Sequence, residues 1–273
     1  MQAANIFFCS RRIQPAGAVV TITNMHLSHW ITATLALFAL SPVAAVAAGP
    51  RPVPQDPADW PGKGIAGAYD LWTERRALFW QEREQDRGAV VFLGDSITQG
   101  WRALDETFPG MKAANRGIGS DTSRRLLVRL QEDVLDLDPR GVVLLIGIND
   151  LAAGVPPADV ADNIRLLVDA IRRHNPKTPV ILCHVMPWKK EPGRYPERIQ
   201  RLNALISGIA VGRPGVFVCD TWPGLATPAG AARPDLFPDG LHLNAEGYKA
   251  WAASLRPALR RAGLLPEAGV TSR

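Results

Sequence analysis

The sequence predicts an α/β protein whose parallel five-stranded sheet is covered by helices on both faces. Short apolar runs near 89–94, 112–115, 141–147, 179–185 and 215–219 read as buried strands. Between them lie segments with apolar residues at helical spacing, and strands joined by helical crossovers pair in parallel and are covered on both sides. The chain has 273 residues, 47% hydrophobic and 21% charged, enough apolar material for one sizeable core. In such sheets the working site lies beyond the carboxyl ends of the strands.

The elements follow in order. Residues 1–48 read as a leader. The stretch "WITATLALFALSPVAAVAAG" (Trp30 to Gly49) has an apolar core followed by small residues at Ala45-Val46-Ala47 and Val46-Ala47-Ala48, the pattern of an export signal. A retained membrane anchor is the alternative; the Ser-Pro break at 41 and 42 favours cleavage, which leaves the mature chain exported (periplasmic or secreted) without a stable membrane span. Arg11 and Arg12 lie far upstream of the apolar core, so Met1 and Met25 compete as the start. Loss of the leader lowers the formal net charge from +5 to +3. That charge names no partner, and no basic cluster interleaved with aromatics points to nucleic acid.

Residues 49–65, rich in Pro, Gly and Asp, read as a linker to a domain spanning 66–273. A helix over 66–87 presents Leu71, Trp72, Leu78 and Phe79. Further helices are expected over 121–136 (Leu126, Leu127, Leu130, Val134) and 158–174 (Val160, Ile164, Leu167, Val168, Ile171). Two more span 196–210 (Ile199, Leu202, Leu205, Ile206, Ile209) and 245–262 (Tyr248, Trp251, Leu255, Leu259). Cys183 and Cys219 sit within strand-like runs and read as buried thiols, with a disulfide between neighbouring strands as the alternative. No spacing resembles a metal site, and no cofactor is implied.

The strand ends carry the chemistry. The first strand ends at Gly94-Asp95-Ser96, the second at "NRGIGSDT" (115–122), the third at "GIND" (147–150), and "FPDGLHLNAEGY" places Asp239 three residues before His242. Together they offer a hydroxyl, an imidazole, a carboxylate to orient it, and oxyanion donors, the parts that acyl transfer requires. Taken alone, Ser96 also reads as a helix cap, Asn149 as a turn residue and Asp239 as a turn acid. Asp95 reads as a loop-holding acid. Of the histidines beyond the leader, His174 ends a helix and His184 lies near the end of the fourth strand as a buried, satisfied residue.

The blocks "GDSIT", "NRGIGSDT", "GIND" and "DGLH" over about 89–262 resemble the SGNH (GDSL-type) hydrolases. The nearest are bacterial esterases akin to platelet-activating-factor acetylhydrolase alpha subunits, in which a comparable helix precedes the first strand. The resemblance implies a three-layer α/β/α, flavodoxin-like sandwich without metal or cofactor. It implies Ser96 as nucleophile, His242 as general base and then acid, and Asp239 as its orienting partner. The Ser96 N–H and the Asn149 amide become oxyanion donors. Ser120 stands where the family usually has a glycine whose N–H is the third donor; Gly119 is its substitute, and the Ser120 hydroxyl is a candidate cap for the next helix. The expected function is hydrolysis of short-chain, acetyl-type esters of a polar or carbohydrate substrate. A lysophospholipase or thioesterase of the same fold, or a non-catalytic binding module, are the alternatives. The loops 186–195 and 221–240 should border the site, with Trp188, Tyr195 and Trp222 beside Lys189, Lys190 and Arg194; the same aromatics are equally compatible with packing on the sheet edge.

Overall fold

The computed structural model describes residues 49–189 and 195–266. The expected leader, Lys190, Arg194 and the Tyr195 side chain lie outside the described residues. Five strands, β1 (Val90–Gly94), β2 (Ala113–Gly117), β3 (Gly141–Leu145), β4 (Val180–Cys183) and β5 (Val216–Cys219), pair in parallel in the order β2-β1-β3-β4-β5. The central strands β1, β3 and β4 are buried along their whole length, which is why they read as unbroken apolar runs rather than alternating ones.

Side chains alternate between the two faces. Val91, Leu93, Val142 and Leu144 face α4 (Ser123–Asp133), α6 (Pro157–His174) and α7 (Tyr195–Ala210). Val90, Phe92, Val143 and Leu145 face α9 (Ala245–Arg261) and the aromatic group of Trp101, Phe108 and Trp251. The α6 residues expected in the core are buried there, as are Trp251, Leu255 and Leu259 of α9. Among the described residues no helix is long and apolar enough to cross a membrane.

The first helix departs from expectation. α1 runs over Asp70–Glu82 and buries Trp72, Arg76 and Phe79, whereas Leu71 and Leu78 are 41% and 44% exposed. The buried stripe includes an arginine because Glu132 pairs with its guanidinium, and a pattern of apolar residues alone does not register that. Residues 49–65 are not a free linker: Trp60 is buried and packs on Trp72, Lys63 N–H donates to Asn163, and Arg124 donates to the carbonyls of Pro57, Trp60, Pro61 and Gly64. A Pro- and Gly-rich segment satisfies its carbonyls here by docking on α4 and α6. Cys183 and Cys219 are partners in the β4–β5 register, both buried and both free thiols; burial raises the Cys183 thiol above its ordinary value.

Candidate active site

Because β1 lies between β2 and β3, the connections leaving β1 and β3 run to opposite sides and open a crevice at their carboxyl ends. Ser96, the first residue of α2 (Ser96–Gln99), stands at this crevice directly after β1. Asp95 caps α2, its carboxylate accepting from Ile97 N–H at 3.0 Å, so the capping role falls to Asp95 and leaves the Ser96 hydroxyl available. Burial raises the Asp95 carboxyl to about 7. The chain must be bare at the neighbouring strand end: a methyl on Gly117 would lie 2.2 Å from the Gln99 backbone nitrogen, so α2 rests on the end of β2 only with glycine there.

Ser96 Oγ lies 2.9 Å from His242 Nε2, and His242 Nδ1 lies 2.6 Å from Asp239 Oδ2. The other Asp239 oxygen accepts from the backbone N–H of His242 at 2.7 Å and of Leu241 at 2.9 Å. Those bonds, led by the one from the His242 ring, hold the Asp239 carboxyl down at about 2 although it is exposed. Gly240, at φ +82°, makes the turn between Asp239 and His242, and its carbonyl accepts from Lys189 N–H. The short spacing therefore folds one acid under one imidazole.

The groups expected to receive an oxyanion come from three connections. The Ser96 N–H has no acceptor among the described residues. Asn149, in α5 (Ile148–Ala152) after β3, donates one amide hydrogen to Asp121 O at 2.9 Å, leaving the other for a ligand. Ser120 sits in the left-handed region at φ 62°, the conformation that explains the family preference for glycine, and its N–H also has no acceptor among the described residues. The Gly119 N–H is committed to Gln99 Oε1 at 2.5 Å, which removes it as the substitute donor. Ser120 does not cap α4; Thr122 does, accepting from Arg125 N–H.

Sequence reasoning missed the scaffold beneath these groups. Arg129 is fully buried and donates to Asp121, Asp133 and the carbonyls of Gly94 and Arg116, joining the ends of β1 and β2 to the 119–122 loop. Asp150 accepts from Ser123 N–H and Oγ, and Asn163 donates to the same hydroxyl, fixing the start of α4. Burial raises both Asp121 and Asp150 to about 6. Tyr69, at the start of α1, donates its hydroxyl to Gly119 O, and Leu71 approaches the same glycine, so α1 forms a wall of the crevice. His184 is satisfied by Asp220 at 3.1 Å and Ser207 at 2.8 Å, as expected of a residue outside the reacting set, and His174 lies by Asp138. Trp188 and Trp222 pack against the core.

Residues 92–250 match the GDSL-like lipase/acylhydrolase family, more than half of the chain. The chain belongs to that family. It is 28% identical over 194 residues to the platelet-activating factor acetylhydrolase IB subunit alpha1 of Pongo abelii, covering 70% of this chain and 83% of that protein. It is 28% identical over 184 residues to the human alpha2 subunit, covering 66% of this chain and 79% of that one. A GDSL-like lipase from Bacteroides thetaiotaomicron superposes with a TM-score of 0.60 at 28% identity, over 67% of this chain and 98% of the other. This member of the GDSL-like lipase/acylhydrolase family is an ester hydrolase with the α/β fold its sequence predicts.

Proposed function

We propose that the chain is a serine esterase that removes short, acetyl-type acyl groups from a polar or carbohydrate substrate through an acyl-enzyme on Ser96. The observation that carries this reading is the continuous chain Ser96 Oγ, His242, Asp239, with links of 2.9 and 2.6 Å, beside two backbone N–H groups with no acceptor among the described residues. In this mechanism Asp239 holds Nδ1–H, so Nε2 is free to take the Ser96 proton as Oγ attacks the ester carbonyl. The N–H groups of Ser96 and Ser120 and the Asn149 amide receive the developing oxyanion. His242 then returns the proton to the leaving oxygen, and water repeats the attack on the acyl-enzyme.

Support for a short acyl group comes from the relatives whose names specify an acetylhydrolase. The test is kcat/KM for p-nitrophenyl acetate, butyrate, octanoate and palmitate. The expected maximum is at acetate or butyrate; a maximum at octanoate or longer rejects the acyl assignment. The longer-chain reading, a lysophospholipase or thioesterase, has one feature in its favour. A groove of about 730 Å³ lies between α9 and the segment following α2; Trp101, Leu243 and Tyr248 line it together with Arg102, Glu106 and Arg256, while Ser96, Asn149 and His242 do not. Burying a chain there is worth about 0.8 kcal/mol per methylene, enough to show as a rise in kcat/KM with chain length. Export to the periplasm or medium completes the proposal and rests on the Trp30 to Gly49 pattern.

A further inference from the structure

We propose that Tyr69 and Gln99 are positioning residues for the oxyanion site, gripping Gly119 from both sides so that the Ser120 N–H is aimed at the developing charge. The inference rests on the acyl-enzyme reading above and assigns roles to two residues outside the reacting set.

Both peptide groups of Gly119 are held. Its N–H donates to Gln99 Oε1 at 2.5 Å, and its carbonyl accepts from the Tyr69 hydroxyl. Gln99 closes α2, the helix that Ser96 opens, so this grip ties the oxyanion loop to the element carrying the nucleophile. Tyr69 grips from α1, across the crevice. In a trans peptide the C=O and N–H point in opposite directions, and no cis bond occurs among the described residues. Fixing the Gly119 carbonyl toward Tyr69 therefore sends the Ser120 N–H the opposite way. A β-carbon at Gly119 would stand 3.9 Å from Ser96 Cβ, which places this peptide against the nucleophile.

The grip is itself braced. The Arg125 guanidinium lies 4.8 Å from the centre of the Tyr69 ring, and the same side chain donates to Gly67 O at 2.9 Å and to Ser120 O at 3.0 Å. The carbonyls on either side of Ser120 are thus both pinned. A non-glycine residue at φ 62° costs energy and persists where its surroundings over-determine it. Burial pushes the Tyr69 phenol up to about 12, so the hydroxyl remains a donor throughout the range in which an esterase works. Donors fixed before reaction need no rearrangement as charge develops, which is where such preorganisation gains rate.

Loss of a whole oxyanion donor costs about 10²–10³ in rate. Tyr69→Phe retains the ring and its Arg125 stacking and leaves the Ser120 N–H present but loosely aimed. It should lower kcat roughly 10-fold or more, with KM within about 2-fold, because only transition-state stabilisation is lost. Gln99→Ala should act in the same direction. The double variant should approach the full cost of one donor rather than the product of the singles, since both hold one segment. The Ki of an alkyl boronic acid, whose tetrahedral adduct places an oxygen in the same site, should rise in parallel with the fall in kcat/KM while Tm stays near wild type. An unchanged kcat, or a fall in Tm and kcat with the boronate Ki unmoved, overturns the assignment. If Tyr69→Phe does not fold, Gln99→Ala decides by the same three readings. Failure of the underlying mechanism is separately visible: Ser96→Ala would then retain activity.

Discussion

Arg129→Met should destabilise the protein strongly and in a way that depends on pH. The arginine is fully buried and donates four hydrogen bonds, at 2.8 Å to Asp121, 3.1 Å to Asp133, 3.1 Å to Gly94 O and 2.8 Å to Arg116 O. Methionine fills much of the same space but leaves two buried carboxylates and two carbonyls short of a donor. Asp133 retains the guanidinium of Arg76 at 3.9 Å, whereas the buried Asp121 carboxylate keeps only the Thr122 N–H and the more distant charge of Arg125. Removing one partner of such a network costs about 3–5 kcal/mol. At roughly 2–4 °C per kcal/mol for a domain of this size, Tm should fall by about 6–20 °C.

The pH dependence follows from the sign of the Asp121 shift. Burial raises its folded value to about 6, above the ordinary 3.8, although Arg129 opposes the rise. Its contribution to stability is therefore present below about 4 and lost as pH rises through about 6. Without Arg129 the folded value climbs further, so the variant goes on losing stability at pH values where the wild type has levelled off. Urea unfolding followed by circular dichroism should show a larger difference between the two proteins at about pH 8 than at about pH 5. A difference below about 1 kcal/mol, or one that is the same at both pH values, would refute the claim that this side chain neutralises a buried carboxylate cluster.

Two further expectations concern the reacting groups. Ser96→Ala and His242→Ala should each lower kcat by roughly 10³-fold or more, with little added by combining them, while Asp239→Asn should cost less than either. Burst kinetics with p-nitrophenyl acetate check all three, and a more severe loss in His184→Ala than in His242→Ala would reassign the base. The bonds that hold Asp239 near 2 stabilise the fold above the ordinary carboxylate value, and that contribution is lost as pH falls through about 2, so acid unfolding of Asp239→Asn should lack it. Ser120→Gly should keep most activity and leave stability within about 1 kcal/mol, relief of the left-handed strain offsetting the greater freedom of the unfolded chain. Ser120→Ala, which keeps the N–H, should also be mild; a severe loss in both variants with Tm intact would mean that the hydroxyl takes part.

The order of the five strands and the five long helices was legible in residue patterning, as were the residue types at the strand ends. These are local properties: β1, β3 and β4 are buried on both faces and so carry unbroken apolar runs, and α6 buries one stripe at helical spacing. Asp239 and His242 were legible as a pair because three residues separate them. Contacts between residues far apart in the chain were not legible there. Ser96 and His242 meet across 146 positions and Tyr69 reaches Gly119 across 50. Residues 49–65, polar and Pro-rich, read as a linker until their carbonyls are seen to be bonded by Arg124. On α1, Trp72 and Phe79 are buried as expected, but Arg76 takes a place in the stripe while Leu71 and Leu78 stay exposed, and Gly119 lost its candidacy as a donor because Gln99 takes its N–H. Local patterning records whether a side chain is apolar; it does not record whether a buried charge has found its partner, and at this site the partners arrive from helices and loops distant in the chain.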